Sequence, residues 1–293
     1  EERVKKQLFP CQFEKGSEAK IMHTLTDASR VQVRKSPDHW SVKGILKELA
    51  MSGEPGSNLQ RVDVLIDVGA LITGMSNQDV AQYMLDNGLG WAKGAGFLDN
   101  HDEKRVLLRQ GGDGESSDGK NGGRVMKLHQ CGIAWSERFS FYDQIHTTGM
   151  DIKQHNNAKA CITVGKDTTL RDFAQGAYRM RAFAKGYPQT LEILLVPEVL
   201  GLIRKEVGEK AIGPKPAIQK VYESATVKLD KMALKAVAAW LLLNQNRLES
   251  KQMLQLCVQN IDGVTRRTAL RNLLSIKNTG KSIDKLNLAE AFV

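Results

Sequence analysis

The sequence predicts an α/β fold built on a mainly parallel sheet with flanking helices, and three observations carry that expectation. Apolar runs of strand length recur at VDVLIDV, ACITVG and TLEILLV, the continuous kind that parallel strands covered on both faces require. Segments with helical spacing alternate with them in a βαβ rhythm, which argues for a parallel sheet. Beyond residues 208–216 the character changes, and apolar residues recur at helical spacing. The chain therefore divides into a segment of mixed character (1–60), which resembles a lead-in from a preceding lobe, an α/β lobe (61–207) and a helical extension (208–293). It starts EERVKK without a Met, which reads as a piece of a longer protein.

Taken in order, KIMHTLTDASRVQVRK is expected to hold a short strand over 30–34. Ser41 is placed to cap a helix over 42–51, which SGEPGS ends. VDVLIDV (62–68) opens the lobe as a buried strand, leaving Asp67 and Gly69 at its carboxyl edge. After Gly74, Ser76 or Asn77 caps a helix with Val80, Met84 and Leu85 on its inner face. GFLD forms a second short strand. Residues 104–110 and 124–130 pair as an inserted β-hairpin joined by GGDGESSDGKNGG. Those glycines lack the Gly-Lys-Ser/Thr of a phosphate loop and read as a connector. Gly280-Lys281-Ser282 fails too, because Ser275 holds the place of that loop's first glycine. FSFY and ACITVG are strands around a polar loop, a helix covers 169–184, and Pro197 marks the end of TLEILLV. Three helical stretches (227–243, 252–261, 264–276) make up the extension, with Trp240 in its core.

The chemistry gathers in residues 139–183. Thr147, Thr148, Gly149 and Asp151 directly follow a strand, which places them at the carboxyl edge where ligands of α/β sheets bind. Gly149 permits positive φ or close approach to a ligand. On the predicted helix, Gln175 and Arg179 are four apart and share a face, while Arg181 points elsewhere. A guanidinium near a strand-end loop suits a polyanion or a phosphoryl group in transfer; pairing of Arg179 with Asp151 or Asp172 would instead only fix helix on sheet.

These residues resemble two motifs of the second RecA-like lobe of superfamily two helicases, P-loop NTPase-type enzymes. Thr147, Thr148, Gly149 and Asp151 look like the fifth motif, a Thr followed by Gly-x-Asp. Gln175 and Arg179 look like the sixth, Gln-x-x-Gly-Arg-x-x-Arg, with Tyr178 in place of Gly and Arg181 one position early. The longer phrase from HTTGMDIKQ through FAQGAYRMR is similar to a family of very large eukaryotic proteins with a helicase-like core, often named ubiquitinyl hydrolase-like and containing domains of unknown function. The likeness runs from about Val64 to about Val207.

What the resemblance implies is the second lobe of a larger ATP-dependent protein. An absent first lobe would hold ATP and Mg²⁺, Arg179 and less directly Arg181 would contact the phosphates, and Gln175 would orient nucleotide or water. Thr147, Thr148, Gly149, Asp151 and Asp143 would couple lobe closure to the other ligand, and the fragment alone would be inactive. Asp143-Gln144-Ile145-His146 also looks like a DExH box whose proton-handling Glu is Gln, a reading the downstream Gln-Arg helix disfavours. Two alternatives stand beside this one. A cysteine-type ubiquitinyl hydrolase needs a thiol beside a histidine; Cys131 lies two residues from His129, and Cys11 has no evident partner. A non-catalytic interaction scaffold needs neither.

Composition bounds the partners. There are 42 Lys+Arg against 33 Asp+Glu, a net charge of +9, which favours acidic partners such as RNA or single-stranded DNA. After Val207 there are 14 Lys+Arg against 7 Asp+Glu, so most of the excess lies outside the motif-bearing lobe. Four scattered cysteines have no metal-ligand spacing and imply an intracellular, reducing setting, cytoplasmic or nuclear, with Cys161 inert in the core. AVAAWLLL, the most apolar run, is too short to span a membrane, so no membrane partner is expected.

Overall fold

The computed structural model of the protein describes residues 17–109, 123–183, 188–208, 227–229 and 231–278. In chain order the elements are α1 (Ser17–Leu25), β1 (Val31–Lys35), α2 (Val42–Ala50), β2 (Val64–Ile66), α3 (Asn77–Asp86), β3 (Gly94–Leu98), β4 (Lys104–Leu108), β5 (Val125–Lys127), β6 (Arg138–Tyr142), β7 (Lys159–Val164), α4 (Leu170–Ala177), β8 (Thr190–Leu195), α5 (Pro197–Val207), β9 (Val227–Leu229) and α6 (Lys231–Asn278). The strands form one sheet in the order β5-β4-β3-β6-β2-β7-β8-β1-β9. Its six central strands, β3 through β1, are parallel. Antiparallel β4 and β5 extend one edge, and antiparallel β9 closes the other.

The parallel strands are buried along their length, as their apolar runs require: all residues of β2, β3, β6 and β7 are buried. Helix α2 begins where Ser41 caps it, its hydroxyl accepting from the Gly44 amide. Ser76 caps α3 in a reciprocal box with Asp79. Thr169 and Asp172 do the same for α4. Pro197, at the first position of α5, both ends β8 and starts the helix.

The lead-in contributes a strand to the sheet itself. Its residues 31–35 form β1, seated between β8 and β9 in the same sheet. One face of this region carries charge inside the core. Arg34 on β1 meets Glu192 on β8 at 2.5 Å and Glu48 on α2 at 3.1 Å, and Lys159 on β7 also binds Glu192. Cys161 lies beside this cluster, fully buried, with its thiol pushed up to about 12 by burial, which keeps it inert as expected.

Three predicted elements come out differently. The hairpin forms, but its second strand stops at Lys127 and a 3₁₀ turn covers Leu128–Gln130; the connector lies outside the described residues apart from Gly123. The helix expected over 169–184 ends at Ala177, because Arg179, Met180 and Phe183 turn inward and the chain tightens through Arg179 N to Gly176 O and Met180 N to Ala177 O bonds. In the extension, residues 227–229 are an edge strand, and the stretches predicted over 252–261 and 264–276 form one 48-residue helix with the end of the first. Polar residues at 244–252 do not break a helix, and Gly263 sits in it with open space around its Cα. Gly280-Lys281-Ser282 and Cys11 lie outside the described residues.

Contacts divide the chain after Leu242. In the first unit Ala233, Leu234, Ala236, Val237, Trp240 and Leu241 of α6 join the core. In the second, the described residues are helix, with Leu254, Ile261 and Val264 exposed. Among the described residues no helix is long and apolar enough to cross a membrane.

Helix α4 packs on the sheet through Gly176, where a Cβ would stand 2.4 Å from Val68 Cγ2. Gly176→Ala is expected to destabilise the protein by about 1–3 kcal/mol through overpacking. Val68→Ala removes the colliding methyl, so urea unfolding of the double variant should show a loss well below the sum of the two single losses.

Candidate ligand cleft at the carboxyl edge

From β2 the chain runs outward to β3, returns to β6 and then crosses to β7 on the other side of β2. The carboxyl ends of β6, β2 and β7 therefore lie side by side where the winding reverses, the place at which open α/β sheets bind ligands. A cleft of about 500 Å³ opens there. Its walls are Val68, Gly69 and Ala70 after β2, then Gln144, Thr147 and Thr148 after β6. Gly165, Lys166, Asp167 and Thr168 after β7 and Asp172 and Gln175 on α4 complete it.

The loop after β2 is built on Asp67. This carboxylate is 1% exposed and accepts from the Leu71 and Ile72 amides at 2.9 Å and from Thr163 Oγ1 at 2.5 Å. Thr163 Oγ1 in turn accepts from the Gly69 amide at 3.0 Å. Burial pushes the Asp67 carboxyl above its ordinary range, against these hydrogen bonds. Gly69 and Gly165 meet backbone to backbone: a Cβ on the first would lie 2.5 Å from the Gly165 nitrogen, and one on the second 2.4 Å from the Gly69 oxygen. The β7 loop closes on itself as the Gly165 amide donates to Thr168 Oγ1 at 2.9 Å.

After β6 comes a 3₁₀ turn, Ile145–Thr147. Thr147 is buried and its hydroxyl donates to the Gln144 carbonyl at 2.8 Å, whereas Thr148 is exposed to the cleft. Gly149 has φ +80°, the left-handed turn that favours glycine. The following residues are laced down by side chains from β6 and from beyond α4. Arg179 donates to the Met150 carbonyl and Arg138 to the Lys153 carbonyl at 2.6 Å. The Tyr142 hydroxyl accepts from the Ile152 amide at 2.6 Å, and Gln154 donates to the Ile152 carbonyl at 3.0 Å. Burial pushes the Tyr142 hydroxyl up to about 12, so it stays a neutral hydrogen-bonding group.

The structure thus brings Thr147, Thr148 and Gln175 to one cleft. The two arginines take other places. Because α4 has ended, Arg179 does not share a helical face with Gln175; it is 7% exposed and turned onto Met150. Arg181 is exposed, pairs with Asp151 at 3.0 Å and stacks 4.3 Å from the centre of the Tyr178 ring. So Arg181, not Arg179, is the arginine paired with Asp151, while Asp172 is occupied in the α4 cap. Asp143 accepts from His146 and does not line the cleft. Among the described residues no three His, Cys, Asp or Glu side chains are grouped to hold a metal ion. Nor is any described cysteine hydrogen-bonded to a histidine: His129 sits in the 3₁₀ turn before Cys131, Cys161 is buried, and Cys257 is exposed on α6.

The wall that sequence reasoning missed is Gly165–Lys166–Asp167–Thr168. Its signal was present: a glycine directly after a buried strand, then a Thr-x-x-Asp box opening the next helix. No family model, curated protein or solved structure matches the chain.

Arg179→Ala should lose about 1–3 kcal/mol, leaving the half-buried Met150 carbonyl without its donor. Arg181→Ala removes an exposed pair and should lose less than about 1 kcal/mol. Thermal unfolding of the two variants side by side checks the difference; equal losses would contradict the distinct roles.

Proposed function

We propose that this chain supplies the second lobe of a two-lobed, helicase-like nucleoside triphosphatase, whose cleft faces ATP and Mg²⁺ held by another lobe. The observation that carries the reading is the cleft itself, set at the winding reversal of a parallel sheet and lined by the Thr147, Thr148 and Gln175 side chains. Thr148 and Gln175 offer exposed hydrogen-bonding groups to phosphate oxygens or an attacking water.

Arg181 is the arginine suited to meet a transferring phosphoryl group, since it is exposed and its bond to Asp151 can be exchanged for one to phosphate. Arg179, Gly149 and Asp151 then shape the turn that carries Thr148, and Asp143 and Thr147 hold its base. Ile145, 77% exposed beside cleft-lining Gln144, is an apolar group that a closing lobe would cover. A cysteine hydrolase lacks a comparable support, because no described thiol has a histidine partner.

The test is ATP turnover by the full-length parent protein, with and without RNA or single-stranded DNA. Arg181→Ala is expected to lower turnover by about 10³-fold or more, as for an arginine that stabilises phosphoryl transfer. Gln175→Ala should lower it by about tenfold or more through lost positioning. The isolated chain should show none. Unchanged turnover in both variants overturns the assignment.

A further inference from the structure

One cluster at this edge is unused by the reading above. His146, in the 3₁₀ turn after β6, places Nδ1 on Asp143 of its own loop and Nε2 on Asp102 Oδ1 at 2.8 Å. Asp102 belongs to the turn between β3 and β4, 44 positions away, and has φ +58°. The His146 side chain is 8% exposed, whereas the Asp102 side chain is 73% exposed.

We propose that His146 is a positioning residue, a proton-dependent latch that ties the cleft-lining turn at 144–148 to the β3–β4 turn. It adds regulation to the nucleotide-facing cleft and rests on that reading only for which ligand feels the latch. A neutral imidazole has one N–H donor and would turn a lone pair toward one of the two carboxylates; the protonated ring donates to both. Burial disfavours the charge, but the hydrogen bonds and charges of Asp143 and Asp102 override it and raise the histidine above its ordinary value.

The neighbouring charges leave this pair as the relevant one. Asp67, at the end of β2, lies near enough to Asp143 to sense its charge. In the β3–β4 turn, Asp99 is held by Arg105, and Glu103 by Arg105 and Lys127. Within the turn itself the bonds are short-range: His146 N to Asp143 O at 3.1 Å and Thr147 N to Gln144 O at 3.4 Å. The His146–Asp102 bond reaches outside it. The sign follows from the raised value: the latch is fully made below the unfolded histidine's pKa of about 6.5 and is lost as pH rises through the higher folded value. Acid should hold the Thr147 and Thr148 wall in place, and base should release it.

The experiment is a side-chain NMR titration of His146 in this chain, with the backbone amides of Thr147 and Thr148 followed in the same samples. The expected result is a His146 midpoint above about 6.5, with both amides shifting at that midpoint. In Asp102→Asn the midpoint should fall toward the ordinary value. Asn is accepted at the positive φ of this exposed position, so the variant leaves the turn's backbone intact. Amides that do not follow His146, or a midpoint indifferent to Asp102→Asn, would overturn the latch. The titration uses no nucleotide, so its failure is distinct from failure of the turnover test.

Discussion

The loops leaving β2 and β7 approach until backbone touches backbone, and the cleft depends on that contact. Neither Gly69 nor Gly165 has room for a Cβ, and each would strike the other's main chain. Backbone cannot move aside as a flexible side chain can, so these positions admit glycine alone without displacing a strand end. Thr163 and Asp67 hold the approach in place, with one hydroxyl joining the Gly69 amide to a buried carboxylate. Gly176 makes a close contact of another kind, against a side chain: it lets α4 settle on Val68, next to cleft-lining Gln175.

Charge is distributed in the lobe according to task. Between β7, β8, β1 and α2, Arg34, Glu192, Lys159 and Glu48 compensate one another across three strands and a helix, which makes their burial tolerable. Buried Arg138, at the start of β6, and Arg179, beyond α4, instead donate to main-chain carbonyls of residues 150–153 and fix the path of the chain after Gly149. With that path fixed, exposed groups that include Thr148 and Gln175 remain at the cleft to meet a ligand, and Arg181 lies outward on Asp151.

Much of this was legible in the sequence because it is local. The parallel sheet followed from continuous apolar runs, the starts of α2 and α3 from Ser41 and Ser76, and the carboxyl-edge position of Thr147 and Thr148 from their place after FSFY. What escaped depends on partners distant in the chain. Nothing near His146 announces Asp102, and nothing near Arg179 announces the Met150 carbonyl that draws it inward and helps end α4 early. The single helix at the end escaped for another reason: without a proline, its polar stretch is no barrier to a helical ladder. Isolated charges inside apolar strands, such as Lys159 and Glu192, were a visible sign of a buried ion cluster that only the sheet order joins together.

Hydrogen exchange on the proposed two-lobed protein, with and without a non-hydrolysable ATP analogue, tests the central claim most directly. Closure of another lobe over the cleft predicts slowed exchange at the amides of residues 147–149 and 165–169, the two strand-end loops that line it. Saturating nucleotide that binds the protein yet leaves both loops exchanging at their unliganded rates would contradict the account.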